Sequence, residues 1–329
     1  MSDEDSVLRT EKGRKLSVLS PQSSVLKYSV LSPKICMANL LDIRRRIKSV
    51  KNTEQITKAM KMVSASKLRR AQERVMNARP FAQKMTEVLA DLASQTSEDF
   101  QHPLLDQRGD ERYLVVLVTA DKGLCGAFNA NLIKAAQIFI REHPGKQIEF
   151  LTVGRKGRDF FRRRATVTGE YIGLTGKGRV EFSEALEVAG DIIKRFTETE
   201  EIDKVFLIFA EFKTVLTQRI VSEQLLPISQ TKAEDTGSGD AESIDYIYEQ
   251  PPAEVFTRLL PRLIETQIFR ALLESIASEQ GARMTAMDAA SKNAGELIST
   301  LTLNLNRARQ AAITREIIEI VSGAAAQSS

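Results

Sequence analysis

Glycine-rich stretches are the first residues in this sequence that could do chemistry, because backbone amides around glycines can hold a phosphate group. Residues 173–178 read Gly-Leu-Thr-Gly-Lys-Gly and contain a Gly-Lys pair. A phosphate loop also needs an earlier glycine five positions before that pair and a Ser or Thr directly after it, and both are missing here. No Gly-x-Gly-x-x-Gly follows an apolar run. We therefore expect ordinary turns here and no bound nucleotide or other cofactor.

A thiol is the second candidate. Cys125 lies in the loop Asp121–Gly126, directly after an apolar run, and α/β active sites gather at the carboxyl ends of such strands. The nearest histidine, His143, belongs at the end of the next predicted helix, so no base is at hand, and we expect a buried turn cysteine. His102, in a polar linker, is expected to be exposed. With two cysteines, two histidines and no carboxylate pair, the sequence predicts no catalytic residue and no metal site.

A row of basic side chains is the strongest sign of a binding surface. Arg44, Lys48, Lys51 and Lys58 fall on one face of a predicted helix. Residues 37–95 carry thirteen basic and five acidic side chains, whereas residues 96–251 carry twenty basic and twenty-six acidic ones. Such a row is compatible with a solvated face, with DNA binding, or with docking against acidic protein loops. Nucleic-acid modules usually add aromatic residues, and Phe81 is the only one in this basic segment.

Two long helices must position that row. Residues 38–95 contain no glycine and only Pro80, with Asn39 as a plausible N-cap, and residues 253–321 contain one proline and two glycines. Helices of these lengths span roughly 80 and 100 Å, which is too long to bury an apolar stripe inside an ordinary domain. We predict that they pair with each other as an antiparallel coiled coil.

The apolar pattern of the second helix changes along its length. An apolar residue recurs at every fourth position from Phe256 to Ile276, and such a row winds around a helix of 3.6 residues per turn. More than one neighbour should therefore cover this part. Further on, a narrower seam is expected along Leu297, Leu301, Leu305, Ile313, Ile317 and Ile320.

The middle of the chain is typical of a small α/β domain. Short apolar runs, which are typical of buried strands, alternate with segments of helical pattern. The predicted strands are 113–119, 147–153, 204–210 and a returning strand at 214–226, and the predicted helices are 129–142, 155–164 and 182–197. The fold class is therefore α/β: a Rossmann-like domain with a mostly parallel sheet, inserted between the two helices of the coiled coil.

The expected boundaries divide the chain into five segments. Residues 1–36 form a disordered tail or precede the true start at Met37. Residues 37–95 are the first coiled-coil helix, residues 96–251 the α/β domain, residues 252–326 the second coiled-coil helix, and residues 327–329 a short tail. The sequence has no run of about 18 apolar residues, so no membrane span is predicted.

Three separated motifs resemble the ATP synthase gamma subunit. Residues 37–68, from Met-Ala-Asn-Leu-Leu-Asp-Ile-Arg-Arg-Arg to Lys-Met-Val-Ser-Ala-Ser-Lys-Leu, are similar to the N-terminus of that family. Residues 278–294 resemble its C-terminal helix, and residues 313–326, Ile-Thr-Arg-Glu-Ile-Ile-Glu-Ile-Val-Ser-Gly-Ala-Ala-Ala, resemble its closing signature. The resemblance runs from Met37 to about Gln327. The cysteine pair of the chloroplast form is absent, so thiol control is not expected.

The resemblance implies a non-catalytic rotor. One copy of the coiled coil would turn inside a hexamer of alternating alpha and beta subunits. The α/β domain would lie on the membrane-embedded ring of c subunits, beside the epsilon subunit. Proton flow would turn the ring and this chain with it, and so drive ATP synthesis in the hexamer. The resemblance places the chain peripherally on the cytoplasmic face of a bacterial plasma membrane.

The resemblance also implies three sets of contact residues. The first would lie near an acidic loop of a beta subunit: Met60, Lys61, Lys67, Arg69 and Arg70. The second would meet loops of the surrounding hexamer: Arg309, Gln310, Thr314 and Glu316. The third would touch the polar loops of the c ring: Tyr246, Tyr248 and Glu249. From pattern alone, coiled-coil packing is the alternative role for Met60, and simple strand positions are the alternative for the two tyrosines.

Two other functions remain open from the pattern alone. A nucleic-acid-binding coiled coil would retain DNA with a steep dependence on salt. An α/β enzyme with helical arms would turn over a substrate as the purified chain. The rotor interpretation requires neither property.

Overall fold

The computed structural model describes residues 33–95, 100–198, 201–228 and 251–327. These ranges contain five helices and five strands, joined by loops. In chain order they are α1 (Pro33–Gln95), β1 (Arg112–Val118), α2 (Phe128–Glu142), β2 (Gln147–Val153), α3 (Arg155–Phe161), β3 (Thr166–Tyr171), α4 (Phe182–Glu198), β4 (Lys204–Phe212), β5 (Gln218–Leu226) and α5 (Pro252–Gln327).

The two long helices pair in antiparallel fashion. Helix α1 has 63 residues and α5 has 76, which correspond to lengths of about 95 and 115 Å. Lys61 of α1 forms an ion pair with Asp288 of α5, and Arg79 forms one with Glu274. From the first pair to the second, the residue number increases on α1 and decreases on α5. The predicted antiparallel coiled coil is therefore confirmed.

The seam of the coil is visible in the burial of α1. Its buried residues are separated mostly by steps of three, four or seven, which is the spacing of a coiled-coil seam. They are Thr57, Ser64, Leu68, Ala71, Val75, Ala82, Leu89 and Leu92. Three of the first four residues are small or polar (Thr57, Ser64 and Ala71), and the set ends with Leu89 and Leu92. The seam is therefore formed by small side chains near the Lys61–Asp288 pair and by leucines near the end of α1.

Helix α5 is covered on all sides over its middle. All ten residues from 271 to 280 are buried. Helix α1 packs on one side of this stretch, and β4 and α4 pack on others. The prediction that more than one neighbour covers this part is confirmed. The narrower seam predicted further along is confirmed only in part: Leu301 and Leu305 are half-buried, whereas Leu297 is 47% exposed and Ile317 is 55% exposed, because no described part of the chain covers these two.

The α/β domain contains a five-stranded sheet in the order β3-β2-β1-β4-β5. The first four strands are parallel, and β5 runs antiparallel to β4. Central strand β1 contributes Leu114, Val116 and Val118 to a core beneath α4 and the coil. Its alternate residues Tyr113, Val115 and Leu117 enter a second core beneath α2 and α3. Burial on both faces explains why β1 reads as a continuous apolar run.

Several details differ from the sequence predictions. Strand β3 was not predicted, because it is a half-exposed edge strand of the sequence Thr-Val-Thr-Gly-Glu-Tyr. Helix α1 already begins at Pro33, so Asn39 lies inside the helix and is not its N-cap. The helix also continues through Pro80. The returning strand begins at Gln218 instead of Thr214, because the preceding residues form the turn of a hairpin.

Candidate binding surfaces of the coiled coil

The carboxyl edge of the sheet, where α/β proteins usually hold ligands, is filled by the chain's own groups. The buried carboxylate of Asp121 accepts hydrogen bonds from the amides of Arg155 at 3.1 Å, Gly173 at 3.0 Å and Gly176 at 2.7 Å. The Thr175 hydroxyl donates a fourth, at 3.0 Å. One side chain thus joins the loops that follow β1, β2 and β3. Residues 173–178 form a turn around this carboxylate, in agreement with the prediction.

The thiol at this edge is not activated. Cys125 is 1% exposed, and the Asn129 side-chain amide donates to its sulfur at 3.1 Å. Burial raises the pKa of the Cys125 thiol, whereas a nucleophilic cysteine needs a lowered one. The predicted buried turn cysteine is confirmed.

The remaining groups that could do chemistry are scattered. The prediction of an exposed His102 is wrong, because the ring is half-buried and its Nδ1 accepts a hydrogen bond from the Leu104 amide. Burial lowers the pKa of His102. Within the described ranges, no group of His, Cys, Asp and Glu side chains could hold a metal ion. No described helix is long and apolar enough to cross a membrane.

The basic row on α1 is a solvent-facing surface in this chain. Arg44, Lys48, Lys51 and Lys58 are all exposed. Lys58 forms an ion pair with Glu54 on the same helix, at 2.7 Å. The row therefore takes no part in holding the fold together and is accessible to a partner.

The first predicted contact set divides into two groups. Arg69 and Arg70 are exposed, and Arg69 reaches Glu73 on its own helix at 3.4 Å. Met60 and Lys61 are half-buried, and the Lys61 amine lies 2.6 Å from a carboxylate oxygen of Asp288. Lys61 therefore already has an acidic partner within the chain, which any experiment on it must separate from a contact with another subunit.

Lys67 of the same set faces the α/β domain. A Cβ added at Gly178 would lie 3.3 Å from its Cδ and 3.6 Å from its amine. Gly178 has a φ of +71°, so glycine is favoured there for both backbone conformation and space. The lysine stem thus packs against the turn that Asp121 organises.

The second predicted set lies on the distal end of α5, which we define as residues 309–327. Arg309, Gln310, Thr314 and Glu316 are all exposed. Apolar side chains of the distal end are exposed among them, with Ile320 at 71% and Val321 at 62%. This surface mixes charge, alanine and isoleucine, and no described part of the chain packs on it. The third set, Tyr246, Tyr248 and Glu249, lies outside the described residues.

One group of polar contacts was missed in the sequence. Strand β4 pairs with β1 only as far as Ile208, yet it continues to Phe212 against β5. Beyond Ile208, side chains of α5 bond the edge of β4 that β1 leaves open. Ser275 Oγ accepts from the Ala210 amide at 3.3 Å, and Ser278 Oγ donates to the Ala210 carbonyl at 3.0 Å. The polar groups of an overhanging strand are thus paired with helix side chains.

A buried ion pair completes this group. Glu274 accepts from the Phe212 amide at 2.8 Å and from two nitrogens of Arg79, at 2.9 and 3.1 Å. Arg79 also donates to the Phe212 carbonyl at 2.9 Å. We call Arg79, Glu274, Ser275, Ser278 and the end of β4 the α5–β4 joint. The sequence carried one signal of it, a glutamate between Leu272 and Ile276 of the winding apolar row.

The geometry therefore defines a shaft-forming structural subunit, with two long helices fixed to one domain and free at the far end. Among known proteins, residues 39–327 match the family model described as ATP synthase. The chain is 51% identical to the ATP synthase gamma chain of Solibacter usitatus over 294 residues, which cover 88% of this chain and 99% of that one. It is also 51% identical to the gamma chain of Trichlorobacter lovleyi over 290 residues, covering 88% and 98%. This chain belongs to the ATP synthase gamma chain family.

Solved structures agree with this assignment. A central-stalk chain of the Tetrahymena thermophila mitochondrial ATP synthase aligns with a TM-score of 0.51 at 28% identity, covering 72% of this chain and 99% of that one. A chain of the Euglena gracilis mitochondrial ATP synthase aligns with a TM-score of 0.63, covering 88% and 95%, and at 19% identity it supports the fold alone. The resemblance inferred from the three sequence motifs is confirmed.

Proposed function

We propose that this chain is the rotating shaft of a proton-translocating ATP synthase and contains no catalytic group of its own. One copy of the coil turns inside a hexamer of alpha and beta subunits, while the α/β domain lies on the c ring beside an epsilon subunit. Proton flow through the ring turns the chain, and the chain drives the hexamer through its catalytic states. The whole is peripheral, on the cytoplasmic face of a bacterial plasma membrane.

The exposed distal end of α5 carries this proposal. Its isoleucines are about half exposed or more, and the described parts of the chain leave them uncovered. Exposed apolar surface of this extent on a helix indicates that another protein covers it. The alanines at 308, 311 and 312 keep the helix thin. A thin and weakly apolar rod suits a sleeve that surrounds it without gripping it.

The lack of a catalytic role is supported by the carboxyl edge of the sheet. There Asp121 is fully engaged with backbone amides, and the Cys125 thiol is buried with a raised pKa. The purified chain is expected to show no ATP hydrolysis, and turnover by the chain alone would contradict this part of the proposal. Steeply salt-dependent retention of DNA would instead favour the nucleic-acid alternative.

A shaft can act only through a difference in contact free energy. If it touches each beta subunit differently at each angle, it favours one conformation of that subunit by that difference. A tenfold preference requires about 1.4 kcal/mol. We propose that Met60, Lys61, Arg69 and Arg70 supply part of this difference by meeting an acidic loop, with Lys67 at the edge of the same surface.

Two further contacts belong to the proposal. Arg309, Gln310, Thr314 and Glu316 would meet loops of the hexamer, which their full exposure permits. Tyr246, Tyr248 and Glu249 would touch the polar loops of the c ring, and they lie outside the described residues.

Lys61 gives the sharpest test, because its partner within the chain can be exchanged. In Lys61→Glu, the contact with Asp288 and any contact with an acidic loop of a beta subunit are both lost. In Lys61→Asp with Asp288→Lys, the ion pair inside the coil is restored in reverse, but the positive charge moves to α5. Both variants are assembled with the other subunits in vesicles, and proton pumping per ATP hydrolysed is measured.

We expect pumping per ATP to fall in both variants, since only a lysine at position 61 presents its charge to the partner loop. Recovery in the double variant would show that the ion pair with Asp288 is what matters. Unchanged coupling in Lys61→Glu would remove Lys61 from the proposed surface. Lys292→Gln is a matched control, because Lys292 also pairs with Asp288, at 3.1 Å, but lies on α5 itself.

A further inference from the structure

We propose that the α5–β4 joint is the place where torque passes between the α/β domain and the coil, and that Arg79 and Glu274 are its main positioning residues. This inference rests on the proposed shaft function. It assigns a role to a group of buried polar contacts that lies outside all three contact sets named above.

Contacts between the coil and the domain differ in how well they resist twisting. When the coil is turned against the domain, the surface of α5 is pushed across the strands beneath it. Apolar attraction is non-directional, so it fixes the relative angle of two bodies less sharply than a hydrogen bond does. Hydrogen bonds lose strength steeply when their angle or distance changes. Directional polar contacts between the two bodies are therefore the ones that fix their relative angle.

The joint connects three elements, α1, α5 and β4, at one point. Glu274, Ser275 and Ser278 lie on α5 and bond the last residues of β4. Arg79 reaches over from α1 and bonds both Glu274 and the Phe212 carbonyl. Both helices of the coil are thus attached to the same stretch of one central strand. A load applied to either helix reaches the sheet through these bonds.

Slipping of the coil against the domain would break the polar contacts of the joint. The Glu274 side chain is 4% exposed and Arg79 is 36% exposed, so a slip of the coil would draw the arginine away from a carboxylate that water reaches poorly. A slip would leave a buried carboxylate without its partner and the Ala210 and Phe212 amides without acceptors. The observed position of the coil relative to the domain is therefore strongly favoured over slightly rotated ones.

Other polar contacts are less suited to this role. The pair Arg270–Glu223 joins α5 to β5 at 2.8 Å, but its carboxylate side chain is 43% exposed, compared with 4% for Glu274. The bond from Arg283 to the Gly123 carbonyl is longer, at 3.3 Å. The pair Lys61–Asp288 joins the two helices only to each other. In the joint, Glu274, Ser275 and Ser278 are buried, and several bonds connect the coil to the domain.

The experiment compares three variants in the complete complex reconstituted in vesicles. Arg79→Met with Glu274→Gln removes the link between α1 and the joint while keeping an acceptor for the Phe212 amide. Ser275→Ala with Ser278→Ala removes the two hydroxyl bonds to Ala210. Arg262→Met with Glu265→Gln is the control, because this pair, 3.0 Å apart, joins α5 only to itself. The rates of ATP hydrolysis and of ATP-driven proton pumping are measured on the same vesicles.

We expect the Arg79/Glu274 variant to lose several-fold in protons pumped per ATP while hydrolysis continues, because the hexamer turns a coil that slips against the domain. The serine variant should show a smaller loss of the same kind, and the control should show none. A merely structural role would lower assembly, hydrolysis and pumping together and would leave their ratio unchanged. That unchanged ratio would overturn the proposal.

Two controls keep the outcomes distinct. If the Arg79/Glu274 variant fails to assemble, the serine variant decides, and an unchanged ratio in it overturns the proposal. If the complex with the unaltered chain fails to couple hydrolysis to pumping, the shaft function itself is wrong, whatever the variants do.

Discussion

The α5–β4 joint and the distal end of α5 share one helix, and the helix surface differs between them. At the joint, ten consecutive residues of α5 are buried, and a carboxylate among them is paired with an arginine and a backbone amide. At the distal end, isoleucines and charged side chains are exposed, and the described residues leave them uncovered. The joint is held by bonds within the chain, whereas the distal end is exposed, as the proposed contacts with other subunits require.

This difference has a mechanical consequence. A shaft must be fixed to the body that turns it and free to move past the body that it acts on. Buried and directional contacts provide the first property, because breaking them leaves unpaired polar groups. Small side chains with modest apolar area provide the second, because no single contact holds the helix strongly. The following predictions test how far the two regions differ.

The largest expected effect is on the joint itself. Arg79→Met leaves the Glu274 carboxylate buried without its charge partner, which typically costs about 3–5 kcal/mol of folding free energy. Urea unfolding of the isolated full chain measures it. Arg69→Met is the control on the same helix, because its pair with Glu73 is exposed, at 85% and 63%, and such pairs contribute at most about 1 kcal/mol. Equal losses in the two variants would show that burial does not strengthen the joint.

Much of this contrast could be predicted from the sequence. Long stretches almost free of Gly and Pro predicted both helices, and their length alone predicted that they pair. The winding apolar row from Phe256 to Ile276 predicted a helix covered on several sides. The three motifs predicted the gamma chain family. Membership of that family is the reason for interpreting the exposed end of α5 as a surface that contacts other subunits.

The joint could not be predicted, because it depends on how far β4 extends beyond β1. Nothing in the sequence of β4 shows where β1 ends. It therefore could not be predicted that the amides of Ala210 and Phe212 lack a partner on β1. Serines on α5 read as neutral helix residues. For the same reason, exposure of the far isoleucines was missed: the pattern indicates that a stripe is apolar, but not whether the same chain covers it.

A second, smaller effect concerns Glu279, four residues along α5 from Ser275. Burial raises the pKa of the Glu279 carboxyl, and Arg283, 2.7 Å away, only partly opposes this. Asp121 acts in the same direction as burial, and Lys67 acts against it. As pH rises above the ordinary glutamate range, the unfolded chain releases this proton while the folded chain keeps it. Stability is therefore lost with increasing pH until the folded pKa is passed.

The measurement compares the chain with Glu279→Gln, which cannot titrate. We expect the unfolding free energy of the unaltered chain, relative to the variant, to fall as pH rises through this window and then to level off. Below the ordinary range of glutamate the difference should be constant. A difference that instead grows with pH would mean that the ion pair with Arg283 outweighs burial.

At the distal end, the effect on folding should be close to zero. Ile317→Ser with Ile320→Ser replaces side chains that are 55% and 71% exposed, and surface changes of this kind stay within about 0.5 kcal/mol each. Urea unfolding of the isolated chain should therefore be unaltered. The same variant in the assembled complex should change the rate of ATP hydrolysis, because in the proposed function the hexamer covers these residues. Loss of folding stability in the isolated chain would show that the distal end is not a free surface.

The smallest effect is expected at the start of the chain. The family match begins at residue 39, and Thr57 is the first buried residue among the α1 side chains that the structure describes. A chain starting at Met37 loses residues 1–36, of which 1–32 lie outside the described residues, and it loses only the first four residues of α1. It keeps every buried contact of the described coil. Recovery of the complex and pumping per ATP should equal those of the full chain, measured side by side. Failure of the shortened chain to assemble would assign a role to the segment and would extend the binding surface of the shaft beyond the basic row.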